Sequence, residues 1–134
     1  MNTQNTDPGL TGIHHNSVLT SDADRAREFY AEILGMKEIP YPSTFEFPVI
    51  WFELGDQHVH LIVANRPDSI SPRHIAFHVR DITTARQALT DMGVAIDETV
   101  KIPGAERFFV HDPDGNRVEF CTSSGYAPAP SRPA

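Results

Sequence analysis

Apolar residues along this chain follow two alternating layouts. Ala26, Phe29, Tyr30, Ile33 and Leu34 recur at helical spacing and predict a buried stripe on a helix over DADRAREFYAEIL. Ser21 or Asp22 can cap its start and Gly35 stops it. A second helix is predicted over ITTARQALTDM, capped by Asp81 and stopped by Gly93. Elsewhere the period is two. In HIAFHV, His74, Ala76 and His78 take one face and Ile75, Phe77 and Val79 the other, as on a half-buried strand. A weaker alternation in HHNSVLT predicts a strand before the first helix. Three short strands are expected after each helix, at 37–41, 49–54 and 58–63, then at 95–100, 107–111 and 117–122. Gly55-Asp56-Gln57 and Asp112-Pro113-Asp114-Gly115-Asn116 are hairpin turns before the last strand of each set. The order is strand, helix, strand, strand, strand, twice over. The fold class is therefore α+β, built from two tandem modules at about 11–64 and 71–123. A turn-rich ANRPDSISP joins them within a single domain, 11–123. A loose N-terminal segment (1–10) and a Pro/Ala-rich tail (124–134) flank that domain.

Composition narrows the function. The 134 residues suit one domain, and 40% hydrophobic content supports a real core. A net charge of −7 leaves no basic stripe for nucleic acid. Apolar runs are strand-sized, so no membrane span is expected, and the first residues lack the pattern of a signal peptide. With a single cysteine, Cys121, no internal disulfide can form, and a cytoplasmic protein is expected. Cys121 is expected to be a small core residue.

The modules match residue by residue. His15 and His74 are 59 apart, as are His60 and Glu119, and each module spans 45 residues between its two members. Asp22 with Asp81, Ala26 with Ala85 and Arg27 with Arg86 keep the same shift. All four positions hold metal-ligand types. Alternation puts His58 and His60 on one face of their strand, and Arg117, Glu119 and Cys121 on one face of theirs. The opposite faces carry Val59, Leu61, Val118 and Phe120 toward the helices. Three imidazoles and one carboxylate suit one divalent ion per cleft, of the zinc, iron(II), nickel, cobalt or manganese class. Such an ion could polarise a substrate oxygen or acidify a bound water. A lone strand histidine is more often a hydrogen-bonded core residue. Coincidence at four matched positions argues for the ligand set.

His15 in HNSVLTSD, then REFYAEILGM, His74 in RHIAFHVRD and finally FFVHDPDGNRVEF give the chain a recognisable signature. In these segments it resembles the vicinal oxygen chelate superfamily, which includes glyoxalase I, fosfomycin-resistance proteins, extradiol dioxygenases and bleomycin-resistance proteins. The resemblance covers about residues 11–123. It implies paired βαβββ modules forming an open, barrel-like mixed-sheet cleft around one divalent metal. The ligands it implies are His15, His60, His74 and Glu119. It further implies homodimers, often with the cleft completed by the partner, and a small oxygenated organic substrate that chelates the metal through vicinal oxygens. The leading expectation is glyoxalase-like isomerase or lyase chemistry. One alternative is an iron(II) ring-cleaving dioxygenase using His15, His74 and Glu119, with His60 as acid/base. A second is a small-molecule binding or antibiotic-resistance protein without catalysis. Glyoxalase I has Glu where this chain has His60. Dioxygenases have Tyr where it has Phe109.

Catalytic candidates are His60, His58 and His78. Phe45, Phe47, Trp51 and Phe109 are candidates for an apolar substrate pocket. His14, adjacent to His15, is expected on the opposite face, as a structural or exposed residue. Asp112 and Asp114 are expected to form a turn.

Overall fold

The computed structural model describes residues 7–99 and 106–122. The tail at 124–134, most of the N-terminal segment and Val100 lie outside them. Module one runs β1 (His15–Thr20), α1 (Ala23–Arg27), β2 (Lys37–Ile39), β3 (Val49–Leu54) and β4 (Gln57–Val63). Module two runs β5 (His74–His78), α2 (Ile82–Asp91), β6 (Arg107–His111) and β7 (Arg117–Cys121). The first sheet has the order β1-β4-β3-β2 and the second β5-β7-β6. In each sheet the first strand pairs in parallel with the last, and the remaining pairs are antiparallel. The 59-residue shift reappears in the register: His15 pairs with His58, and His74 with Arg117. No described helix is long and apolar enough to cross a membrane.

Asp22 and Asp81 cap the helices, each accepting from the backbone N–H three residues on. Gly35 and Gly93 follow them at φ 80° and 81°, left-handed values that need no Cβ to be accommodated. Two expectations are corrected. The first helix keeps α geometry only through Arg27, and Glu28–Ile33 is π-helical. The wider turn lets Leu34 N–H reach the Phe29 carbonyl at 2.9 Å. The strand expected at 95–100 is reduced to an isolated bridge between Asp97 and Phe109. Val94 and Ile96 still pack on the core, so the alternation reflected burial without ladder pairing.

The core lies between the helices and the inner sheet faces. It contains Phe29, Tyr30, Phe52, Val59, Leu61, Phe108, Val118 and Phe120. Val59, Leu61, Val118 and Phe120 are the residues that alternation assigned to the helix side, and Phe29 and Tyr30 belong to the helical stripe. The modules are tied together through the 112–116 turn. Buried Asp112 accepts hydrogen bonds from the N–H groups of Asp114 and Asn116, from Asn116 Nδ2 and, at 2.7 Å, from the buried Tyr30 hydroxyl of module one. Asp114 accepts from Thr20 Oγ1, Ser21 N and Ser21 Oγ, and Asn116 Nδ2 also donates to the Leu19 carbonyl. Burial, together with the nearby Asp112 carboxylate, pushes the Tyr30 hydroxyl above its ordinary pKa, so it remains a donor.

Tyr30→Phe removes one partner of a buried carboxylate that spans both modules. A loss of about 1–3 kcal/mol in urea unfolding is expected, with unchanged m-value.

Candidate metal-ligand half-sites

The four matched residues form two pairs on two sheets. In module one, β4 carries His60 between its neighbours on β1 and β3. Its ring stacks on Trp51 at 4.1 Å with an interplanar angle of 2°, and on His15 at 4.1 Å and 20°. His60 is only 6% exposed. Burial, then the neighbouring imidazoles of His15, His58 and His14, lower its pKa to about 4. It is therefore a neutral, lone-pair-bearing ring at physiological pH. His58 Nδ1 lies 3.2 Å from His60 Nε2.

His14 is exposed, as expected, but its direction is corrected: its Nδ1 lies 2.9 Å from His15 Nδ1 and its ring meets His58 edge-on at 5.0 Å. It precedes β1, so strand alternation does not govern its direction. Its only structural signal in sequence was adjacency to His15.

In module two, His74 and Glu119 lie on neighbouring strands. The Glu119 side chain is fully buried, and neither carboxylate oxygen has a hydrogen-bond partner. His74 Nε2 approaches Oε1 to 3.0 Å without hydrogen-bond alignment, and Arg107 reaches 3.7 Å from the same oxygen. The other ring nitrogen, His74 Nδ1, is 2.9 Å from the Pro72 carbonyl and must donate to it. In the neutral ring this leaves the Nε2 lone pair toward the carboxylate. Two ligands of one ion, each about 2.0–2.2 Å from it, are separated by a distance of this order. The donor chemistry and the orphaned carboxylate therefore fit a divalent metal.

Among the described residues, no single-chain group of three or more His, Cys, Asp or Glu is arranged to hold a metal. His15 with His60 and His74 with Glu119 are separate pairs. Of the aromatic candidates, Trp51 lies against His60. Phe109 is buried, meeting His74 edge-on at 5.0 Å. Phe45 packs edge-on against Trp51 at 5.4 Å, and Phe47 follows Phe45 at 5.5 Å. These two are exposed. His78 is exposed at the end of β5 and joins none of these contacts. Cys121 is buried, as expected, and burial raises its thiol pKa.

A fully buried carboxylate without a hydrogen bond destabilises the metal-free fold. Glu119→Gln is expected to unfold at higher denaturant concentration than wild type, by about 1–3 kcal/mol, when both are metal-free. Added divalent metal should raise the melting temperature of wild type and leave the variant unmoved. Chemical denaturation and calorimetry check both.

The chain is similar in sequence to "Glyoxylase I 4" of Arabidopsis thaliana, at 29% identity over 84% of this chain and 71% of that protein. It is 27% identical to "Probable lactoylglutathione lyase" of Synechocystis sp., over 82% of this chain and 94% of that one. In structure it resembles a protein of Bacillus anthracis assigned to the glyoxalase family, with a TM-score of 0.80 and 33% identity over 87% of this chain and 98% of that one. The family model for the Glyoxalase/Bleomycin resistance protein/Dioxygenase superfamily matches residues 12–120. The two βαβ-rich modules, their 59-residue repeat and this match together establish that the chain belongs to that superfamily.

Proposed function

We propose that this protein is a divalent-metal-dependent enzyme with glyoxalase-like isomerase or lyase chemistry on a small molecule that presents vicinal oxygens. His15, His60, His74 and Glu119 would hold the metal. The observation that carries this reading is the approach of His74 Nε2 to the buried, unbonded Glu119 carboxylate. Two electron-rich groups in that position call for a cation between them. When bound, the ion supplies Lewis acidity that makes a proton beside a chelated carbonyl easier to remove.

The chain's own residues divide the remaining work. His74 is oriented by the Pro72 carbonyl. His60 is held by rings on both faces, which suits a fixed ligand better than a base that swings away. The proton-moving role then falls to His58, whose Nδ1 lies beside His60. His78 is too peripheral to be favoured. Trp51, Phe45 and Phe47 provide an apolar wall on the module-one side, and Phe109 backs His74 on the module-two side.

A site of four ligands requires both pairs, and one chain keeps them apart. We infer a homodimer in which the His15–His60 pair of one protomer meets the His74–Glu119 pair of its partner. Among the described residues, the first strand of each sheet, β1 and β5, has one neighbour in its sheet. Each is an edge able to accept another strand.

Metal analysis after anaerobic purification tests the reading. About one zinc, nickel, cobalt, manganese or iron per chain is expected. Chains that take up no stoichiometric metal under any loading condition would sink it. His60→Ala should lower metal occupancy, whereas His58→Ala should keep the metal and lose turnover by about 10²-fold or more.

A mixing experiment tests the shared site. A His15→Ala/His60→Ala chain and a His74→Ala/Glu119→Ala chain should each bind no metal alone. After co-refolding, the mixed dimer should regain one metal per dimer. No recovery in a verified mixed dimer would contradict assembly across chains.

A further inference from the structure

Arg117 stands two residues before Glu119 and beside His74 in the parallel register of β5 and β7. Its guanidinium lies 3.7 Å from the centroid of the Phe109 ring, the ring that His74 meets edge-on. Arg117 and His74 both line a cavity of about 480 Å³ between β1 and β5. Arg73 also lines it, but Arg73 is occupied, with Asp68 at 3.2 Å and Ser71 at 3.1 Å. Arg117 makes no ion pair or side-chain hydrogen bond among the described residues.

Stacking fixes the plane of a guanidinium without consuming its N–H donors. The resulting fork matches a carboxylate in two-point geometry, and the ring beneath it limits the entropy lost on binding. The chain carries a net charge of −7, with 18 acidic residues against 11 basic ones, so an internal partner for Arg117 was not scarce. An unpaired cation beside a pair suited to a divalent ion also creates like-charge repulsion, which an incoming anion relieves. Ser17, Ser71 and Asn116 add polar groups to the same cavity.

We propose that Arg117 binds a carboxylate of the substrate in this cavity, separate from the vicinal oxygens that meet the metal. This rests on the metal-site reading above and narrows its substrate class to 2-hydroxy or 2-oxo compounds bearing a further carboxylate. Arg117 would then set specificity, and Phe109 would hold its guanidinium in place.

Titration calorimetry with malate, its ω-amide and lactate separates the second carboxylate from the chelating pair. The metal-loaded protein should bind malate about 10- to 100-fold more tightly than either control. Arg117→Gln should bring malate to the level of the amide, leaving amide affinity and metal content unchanged. Arg117→Lys should retain part of the preference. Equal binding of malate and amide by wild type, or equal loss of both in Arg117→Gln, overturns the proposal. Inorganic phosphate competing as strongly as succinate would also overturn it, by making the cavity a general anion site. The metal-free protein distinguishes the two readings. An Arg117-dependent preference for malate in a chain that takes up no metal would sustain the carboxylate site and remove the metal. A chain that loads metal but shows no preference would do the reverse.

Discussion

The buried carboxylate of Asp112 is the constraint on which the two-module arrangement depends. Three of its hydrogen bonds come from the turn that contains it, and the fourth comes from Tyr30 in the other module. A buried carboxyl group of this kind is tolerable only while its hydrogen-bond partners hold position. The same residue therefore shapes the 112–116 turn and sets how that turn sits against the first helix. Asp114 and Asn116 extend the junction to the end of β1. Module orientation thus follows from directional polar contacts, with the apolar core filling the space behind them.

With that junction fixed, the repeat acquires chemical meaning. Each sheet carries one candidate ligand on its first strand and one on its last, and parallel pairing makes those strands neighbours. An aromatic side chain on the next strand stands opposite each last-strand candidate: Trp51 opposite His60, and Phe109 opposite Glu119. The two half-sites nevertheless differ in character. One is a stack of imidazole and indole rings. The other is a buried carboxylate with Arg107 at 3.7 Å, next to the Phe109 ring on which Arg117 lies. The pseudosymmetry of the backbone thus carries an asymmetric arrangement of side chains.

Much of this was legible in the sequence because it depended on local rules. Caps at Asp22 and Asp81, helix-ending glycines and period-two alternation located the elements and the core faces. The repeat picked out His15, His60, His74 and Glu119 as equivalent pairs. Other features depended on long-range contact and left no such mark. Six residues are too few for apolar spacing to separate a π-helical turn from an α-helical one. The segment around Asp97 alternates like a strand, but among the described residues it pairs only through the bridge between Asp97 and Phe109. Alternation put Arg117 on the face of Glu119, but its place over the Phe109 ring depends on the fold. His14 lies just outside β1, where alternation no longer predicts direction. The separation of the two pairs within one chain also could not be read from spacing, since the same repeat can close on itself or on a second copy.

The stack of Trp51 on His60 has an optical consequence. The chain contains a single tryptophan, and its indole lies parallel to the His60 imidazole at contact distance. Its emission therefore originates from one known place, with no background from another indole. An imidazole that gains a proton or gives up its lone pair becomes electron-poor and a better quencher of the excited indole. The protein thus contains its own fluorophore for the chemical state of His60, readable in solution without a label and on the timescale of a stopped-flow mixing experiment.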